Sequence, residues 1–211
     1  MKITLYSVLV LLLLVLSVSA ETTVNKSIRI SEGERHSGGC SSVNGSIVVE
    51  QGAEVRGGCK TVNGSIKIAG DCVVQGLHSV NGSIRVGEKS DVASDIETVN
   101  GSVHCEEGVR VGGDIETVNG SVDLQGAEVK DGISTFNGDV TLARKSIVRG
   151  DIVVKDSKSH NNRKAPLRIT IDNSVVEGDI INHEEDIEVI VYLRNGGQVR
   201  GDIYDAQVEE E

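Results

Sequence analysis

The sequence predicts an all-β fold: a single-stranded β-helix wound as a three-faced prism. Three observations carry this. The pair Asn-Gly recurs at 44, 63, 81, 100, 119 and 137, at spacings of 19, 18, 19, 19 and 18 residues. Each spacing divides into segments of about six, as in Val62, Ile68, Val74, Val80, Val86 and Val92. The chain also holds 25 Gly and one Pro, a composition that disfavours helix interiors. Self-similarity at a short fixed period is the mark of a stacked repeat. Three segments of six make one coil, and about nine coils of 18–19 residues fill the chain. At the strand spacing that is a rod roughly 40 Å long. A competing reading takes each Asn-Gly as a hairpin turn, the strongest short hairpin signal. A meander needs no six-residue subdivision, so the solenoid is preferred.

The elements follow in chain order. Met1-Lys2, the apolar run Ile3 to Leu16 and the small residues Ser17 to Ala20 have the layout of a signal peptide, 1–20, followed by a solenoid domain, 21–211. The run is short for a spanning helix. Export places the chain in an oxidising compartment, the periplasm or the cell surface. Val24-Asn-Lys-Ser-Ile28 is a degenerate first copy of the motif that recurs as Val43-Asn-Gly-Ser-Ile47, Val62 to Ile66, Val80 to Ile84, Val99 to Val103, Val118 to Val122 and Phe136-Asn-Gly-Asp-Val140. The third segment often reads Val-x-Gly-Asp-Ile, as at Val111 to Ile115 and Val148 to Ile152. Alternation along a strand turns its Val and Ile the same way, into the interior. Its Gly would lie where a narrow prism has little room, or ease a bend. Asn is expected at corners because it tolerates the left-handed region, and seven of them, Asn25 to Asn137, would form a stacked row. Residues 155–166 are polar, contain the one Pro and read as a loop ejected from the stack. The repeat then resumes at Ile169, less regularly, and ends in Glu209-Glu-Glu211.

Composition excludes several functions. With 21 Lys+Arg against 32 Asp+Glu the formal charge is -11, which does not suit a nucleic-acid partner. Aromatics at 2% leave no stacking platform for bases or sugars.

The Val-Asn-Gly-Ser-Ile and Val-x-Gly-Asp-Ile repeats resemble those of bacterial bactofilins and of related adhesin-like solenoids, over about residues 24–204. The resemblance implies a triangular right-handed β-helix and a polymer-forming scaffold without cofactor or catalysis. The leader and the acidic end depart from bactofilins, which work in the cytoplasm. A similarity to hexapeptide-repeat acyltransferases rests on the six-residue period alone, and their catalytic His matches no position here.

Candidate chemistry is sparse. The five His, at 36, 78, 104, 160 and 183, have no metal-ligand spacing, and no Cys pair reads C-x2-C. His104 takes the outward slot held by Lys67 and Arg85 in neighbouring coils. The repeated Ser of the Asn-Gly motif form no triad with His and Asp, so Ser and Asn read as a hydrogen-bonding ladder on a solvated face. Asn-Gly-Ser matches the glycosylation acceptor five times, and Arg149-Gly-Asp151 and Arg200-Gly-Asp202 match an integrin tripeptide; both are also what the repeat itself dictates. Asp95, Glu97, Asp114 and Glu116 stack as four outward carboxylates, read as a hydrated acidic face that holds no tight metal. Lys155, Lys158, Arg163 and Lys164 form the one basic patch, on the loop. Cys40 and Cys59 occupy the same place one coil apart, so a disulfide between them is expected. Cys72 and Cys105 lie in different slots two coils apart and are expected to stay free thiols. The function expected is that of an exported, non-enzymatic structural or scaffold solenoid of the bacterial cell envelope. An adhesin-like binding module is the alternative, and an envelope transfer enzyme a distant third. The expected partner is an envelope component or a second copy of the chain, with no cofactor.

Overall fold

A computed structural model describes residues 21–156 and 165–210. Every strand pairing among them is parallel, and the strands fall into three sheets. The first face runs from Glu21–Thr23 to Ile203–Tyr204 in ten strands. The second runs from Ile28–Ile30 to Gln207–Glu210, also in ten. The third runs from Arg35–His36 to Gln198–Val199 in nine. The chain visits the faces in strict rotation and so climbs one strand per coil. This is the expected three-faced β-solenoid, without helix among the described residues.

It has ten turns rather than nine. The sequence hid the last one: Gln207–Glu210 looks like an acidic tail, yet it pairs in register with Ile190–Leu193 as a final strand. All four of its residues are exposed, so main-chain pairing holds it there, with a side-chain bond from Gln207 Nε2 to Glu188 Oε1 at 2.8 Å.

The core is a set of stacked columns. On the first face Leu77, Ile96, Ile115, Ile133, Ile152 and Ile180 are fully buried. On the third, Val74, Val92, Val111, Val129, Val148 and Val176 form the matching column. The second face gives two inward residues per strand, such as Ile84 and Val86 or Val122 and Leu124. Val111 and Ile115 both point inward as expected, but from two faces. Val111 ends a third-face strand, Ile115 opens the next first-face strand, and a corner lies between them, so alternation along one strand is not the reason.

Two expectations need correction. The Gly of Val-x-Gly-Asp-Ile is not pressed against the interior. A Cβ at Gly150 would meet the Asp131 carbonyl of the coil below at 2.5 Å, so the squeeze runs along the rod axis. The Val of Val-Asn-Gly is not a uniform core residue either: Val43 is 39% exposed at the corner. The inward position is the residue before it, Ser42, Thr61, Ser79, Thr98, Thr117 and Thr135, all buried.

Candidate functional site

These hydroxyls lie in an apolar prism and must find acceptors there. They do so by local periodicity. Thr61 Oγ1 donates to the Gly45 carbonyl at 2.9 Å, Thr98 to Gly82 at 3.3 Å and Thr117 to Gly101 at 3.4 Å. Each ties a strand of the first face to the Asn-Gly corner of the coil below. That corner is tight: a Cβ at Gly64, Gly82, Gly101, Gly120 or Gly138 would come within 1.8–2.3 Å of the carbonyl beneath. Glycine is needed there for contact along the axis.

Outside this corner runs the Asn row. Asn44 Nδ2 donates to Asn25 Oδ1 at 2.6 Å, Asn63 to Asn44 at 2.7 Å and Asn81 to Asn63 at 2.8 Å. Asn100 donates to Asn81 at 2.9 Å, Asn119 to Asn100 at 3.0 Å and Asn137 to Asn119 at 3.2 Å. All six bonds point the same way. The row is as expected, but the reason given for Asn is corrected: of the seven, only Asn25 has a positive φ, of 60°. The others are Asn because a carboxamide can accept from above and donate below. The five Asn-Gly-Ser acceptor nitrogens are thereby all engaged.

The carboxylates are committed in the same manner. Asp95 Oδ1 accepts from the Asp114 amide at 3.0 Å, and Asp114 Oδ1 from Gly132 at 2.7 Å. Asp151 and Asp179 repeat this with the Asp179 and Asp202 amides, both at 2.8 Å. Glu116 holds Lys155 at 2.9 Å, and Glu97 lies 3.3 Å from His78. Glu97 and Glu116 are register neighbours, as the sequence implied, but the four carboxylates divide between two functions. Two cap amides, Glu116 meets the Lys155 cation, and Glu97 lies beside the His78 ring. Lys155 consequently belongs to this face and also lies 5.8 Å from the Phe136 ring centroid. Lys158, Arg163 and Lys164 fall outside the described residues, as does the leader 1–20. Both Arg-Gly-Asp tripeptides are built into the stack: Arg149 pairs with Glu128 at 2.7 Å, and Arg200 with Glu177 at 2.9 Å. A shallow groove on the third face is lined by Asp91, Arg110, Glu128, Lys130 and Arg149. Arg110 closes on Asp91 through two bonds of 2.7 and 2.8 Å.

Cys40 and Cys59 are direct register partners on the first face, and both side chains are fully buried. A hydrogen bond between the two thiols holds Cys40 below the ordinary thiol range and raises Cys59 well above it. Cys105 sits on the second face between Val86 and Leu124, where burial pushes its thiol up to about 12. Cys72 lies in a column of small residues at the entry to the third face, its Sγ 3.1 Å from the Glu50 carbonyl. Cys72 and Cys105 thus stand on different faces.

The outward centre of the second face is the remaining chemical feature. From the first coil to the last it reads Arg29, Val48, Lys67, Arg85, His104, Asp123, Thr141, Thr170, Tyr192 and Glu209. His104 Nδ1 lies 2.8 Å from Asp123 Oδ2. Cations gather at the beginning and anions towards the end. Sequence reasoning noted His104, Lys67 and Arg85 in one slot but not the gradient, which becomes visible only when register crosses the 155–166 insertion.

Among known proteins, no family model matches the chain, and neither a curated protein nor a solved structure matches it. The solenoid-type scaffold is what the structure supports of the resemblance drawn from the repeats.

Proposed function

We propose that this is an exported, non-enzymatic structural rod of the bacterial cell envelope, akin in role to the bactofilin and adhesin-like solenoids. One observation carries the reading: the polar groups of the repeat are spent on holding coil to coil. Amides, hydroxyls and carboxylates that could have converged on a ligand instead bond along the axis, as in the Asn ladder and the Asp caps. Ten turns at the strand spacing make a rod roughly 48 Å long. The end strands of the described stack and its second face offer surfaces for a second copy or an envelope component. The layout of residues 1–20 supports export to an oxidising compartment. In that compartment Cys40 and Cys59 form a disulfide: register neighbours in a sheet are ~4.8 Å apart, within the reach of the bond. It staples the N-terminal coils.

Electron microscopy and sedimentation of the protein recovered from the envelope test the reading. Elongated particles that assemble with concentration support it. Dispersed single rods that bind one envelope polymer tightly would favour the adhesin-like alternative. Mass spectrometry of a non-reduced digest should show the Cys40–Cys59 peptide, and any other linkage would contradict the proposed bridge.

A further inference from the structure

We propose that the second face is a self-association surface on which two copies lie face to face and antiparallel. The inference deepens the structural reading above and rests on it for the presence of a second copy. It comes from the register of the outward column. With ten strands on this face, a two-fold axis across its middle sets coil 1 against coil 10, coil 2 against coil 9, and so on. The outward centres then meet as Arg29 with Glu209, Val48 with Tyr192, Lys67 with Thr170, Arg85 with Thr141, and His104 with Asp123. Opposite charges meet at both ends, the His104 ring meets the Asp123 carboxylate at the centre, an apolar pair lies between, and Lys67 and Arg85 meet hydroxyls. No like charges coincide.

The flanking column agrees. Two residues further along each strand, Glu50 meets Arg194, Glu106 meets Gln125, and Asp172 meets Ala69. The parallel alternative places every residue of the central column on its own copy: Arg29 on Arg29, Lys67 on Lys67, Arg85 on Arg85, Asp123 on Asp123, Glu209 on Glu209. Like-charge juxtaposition of that kind is strongly unfavourable, so the column selects one orientation. Lys67 and Arg85 are exposed and make no ion pair among the described residues, which leaves them available to a partner. Arg29 already leans on Glu50 within the chain, so Arg29, Glu50, Glu209 and Arg194 would form an alternating cluster at each end. A face roughly 48 Å by 15 Å gives about 700 Å² per copy, close to the ~800 Å² of a standard interface. A two-fold contact is closed, so the product is a dimer and not a sheet.

Sedimentation equilibrium of the protein as its host delivers it tests the pairing. A dimer is expected whose dissociation constant rises with salt, because the contact is charge-matched. Arg29→Glu alone or Glu209→Arg alone should weaken it roughly tenfold or more, by setting like charges together. The double variant carrying both changes should recover most of the loss, since the pair is re-formed with its signs exchanged. Assembly that ignores both single changes, or a double variant no better than either, overturns the antiparallel surface but leaves the structural-rod reading standing on another interface. A protein that stays monomeric at every concentration overturns the surface and counts against self-association altogether.

Discussion

The coils from Asn44 to Asn137 and the coils after residue 165 are held together differently. In the first region each turn is tied to the next through short side chains. The amide ladder lies outside, the hydroxyl bonds inside, and a glycine at the corner lets backbones touch. In the second region the corner between the first and second faces is lengthened, by residues 155–166 and then by His183–Glu188. Among the described residues the last rung of the Asn ladder is Asn137 on Asn119, below the first of these. Length along the strand takes its place. Leu167–Asp172 and Val189–Arg194 are six-residue strands, paired residue for residue, where earlier strands on this face have three or four. Long ion pairs such as Glu177 with Arg149 and Arg200 then cross the coils. A side-chain ladder requires the same corner in every turn; main-chain pairing does not. The chain takes extra residues at this corner where main-chain pairing of the second kind takes over.

The sharpest way to break this contrast is to add a methyl group to a glycine in each region. Gly120→Ala drives a Cβ to 1.9 Å from the Gly101 carbonyl and should cost about 3 kcal/mol in denaturant unfolding, or abolish folding. Gly196→Ala meets nothing within 4 Å and bears only the strain of its φ of 80°, about 1 kcal/mol. Equal losses would mean that corner contact does not govern the ladder region.

A smaller effect separates buried from outward threonines. Thr117→Val leaves the Gly101 carbonyl without its hydroxyl and should cost about 1–2 kcal/mol. Thr170→Val, on the outer surface of the second face, should stay within about 0.5 kcal/mol. Smaller again, Asn81→Ala removes one bond above and one below, about 1 kcal/mol by thermal unfolding. Arg200→Ala should leave the unfolding midpoint nearly unchanged, because exposed ion pairs are screened by solvent.

The last effect is invisible at neutral pH. Buried Cys105 holds its proton to about 12, whereas an unfolded thiol releases it near 9.0. Between those values the unfolded state binds fewer protons, so stability should fall as pH rises from about 9 towards 12. Cys105→Val should show a shallower fall than the parent protein. Identical alkaline profiles would mean that the thiol is not held in its neutral form.

Much of this architecture was legible in the repeats. The period places Asn25 to Asn137 in one row and stacks Ile115 over Ile96 and Val111 over Val92, because register is a counting argument. For the glycine at 150 two readings stood open, the interior and a bend; it lies in a bend, and spacing alone did not say that its crowded neighbour lies along the axis. Thr117 drew no notice, because nothing in the sequence marks a polar residue beside Val as buried. The final strand was missed because Gln207–Glu210 has no apolar pattern, and only its partner Ile190–Leu193 makes it a strand. The gradient on the second face needed the register from Val140 to Ile169 across the extra residues 155–166, which no fixed period supplies.

The Asn ladder also bears on how the protein ages. In a loose chain Asn-Gly is the dipeptide most prone to lose ammonia, because the unshielded glycine nitrogen swings round to attack the side-chain carbonyl carbon. Here the leaving nitrogens are occupied as donors, and the glycines are wedged against the turn beneath with no room to swing. The stack therefore works against the hydrolytic clock that its own sequence would otherwise set. If one rung did hydrolyse, a carboxylate would replace an amide donor between two neighbours. The damage would fall on the bonds joining three consecutive turns, so the wear of such a rod should begin as a break across its length rather than as erosion of its surface.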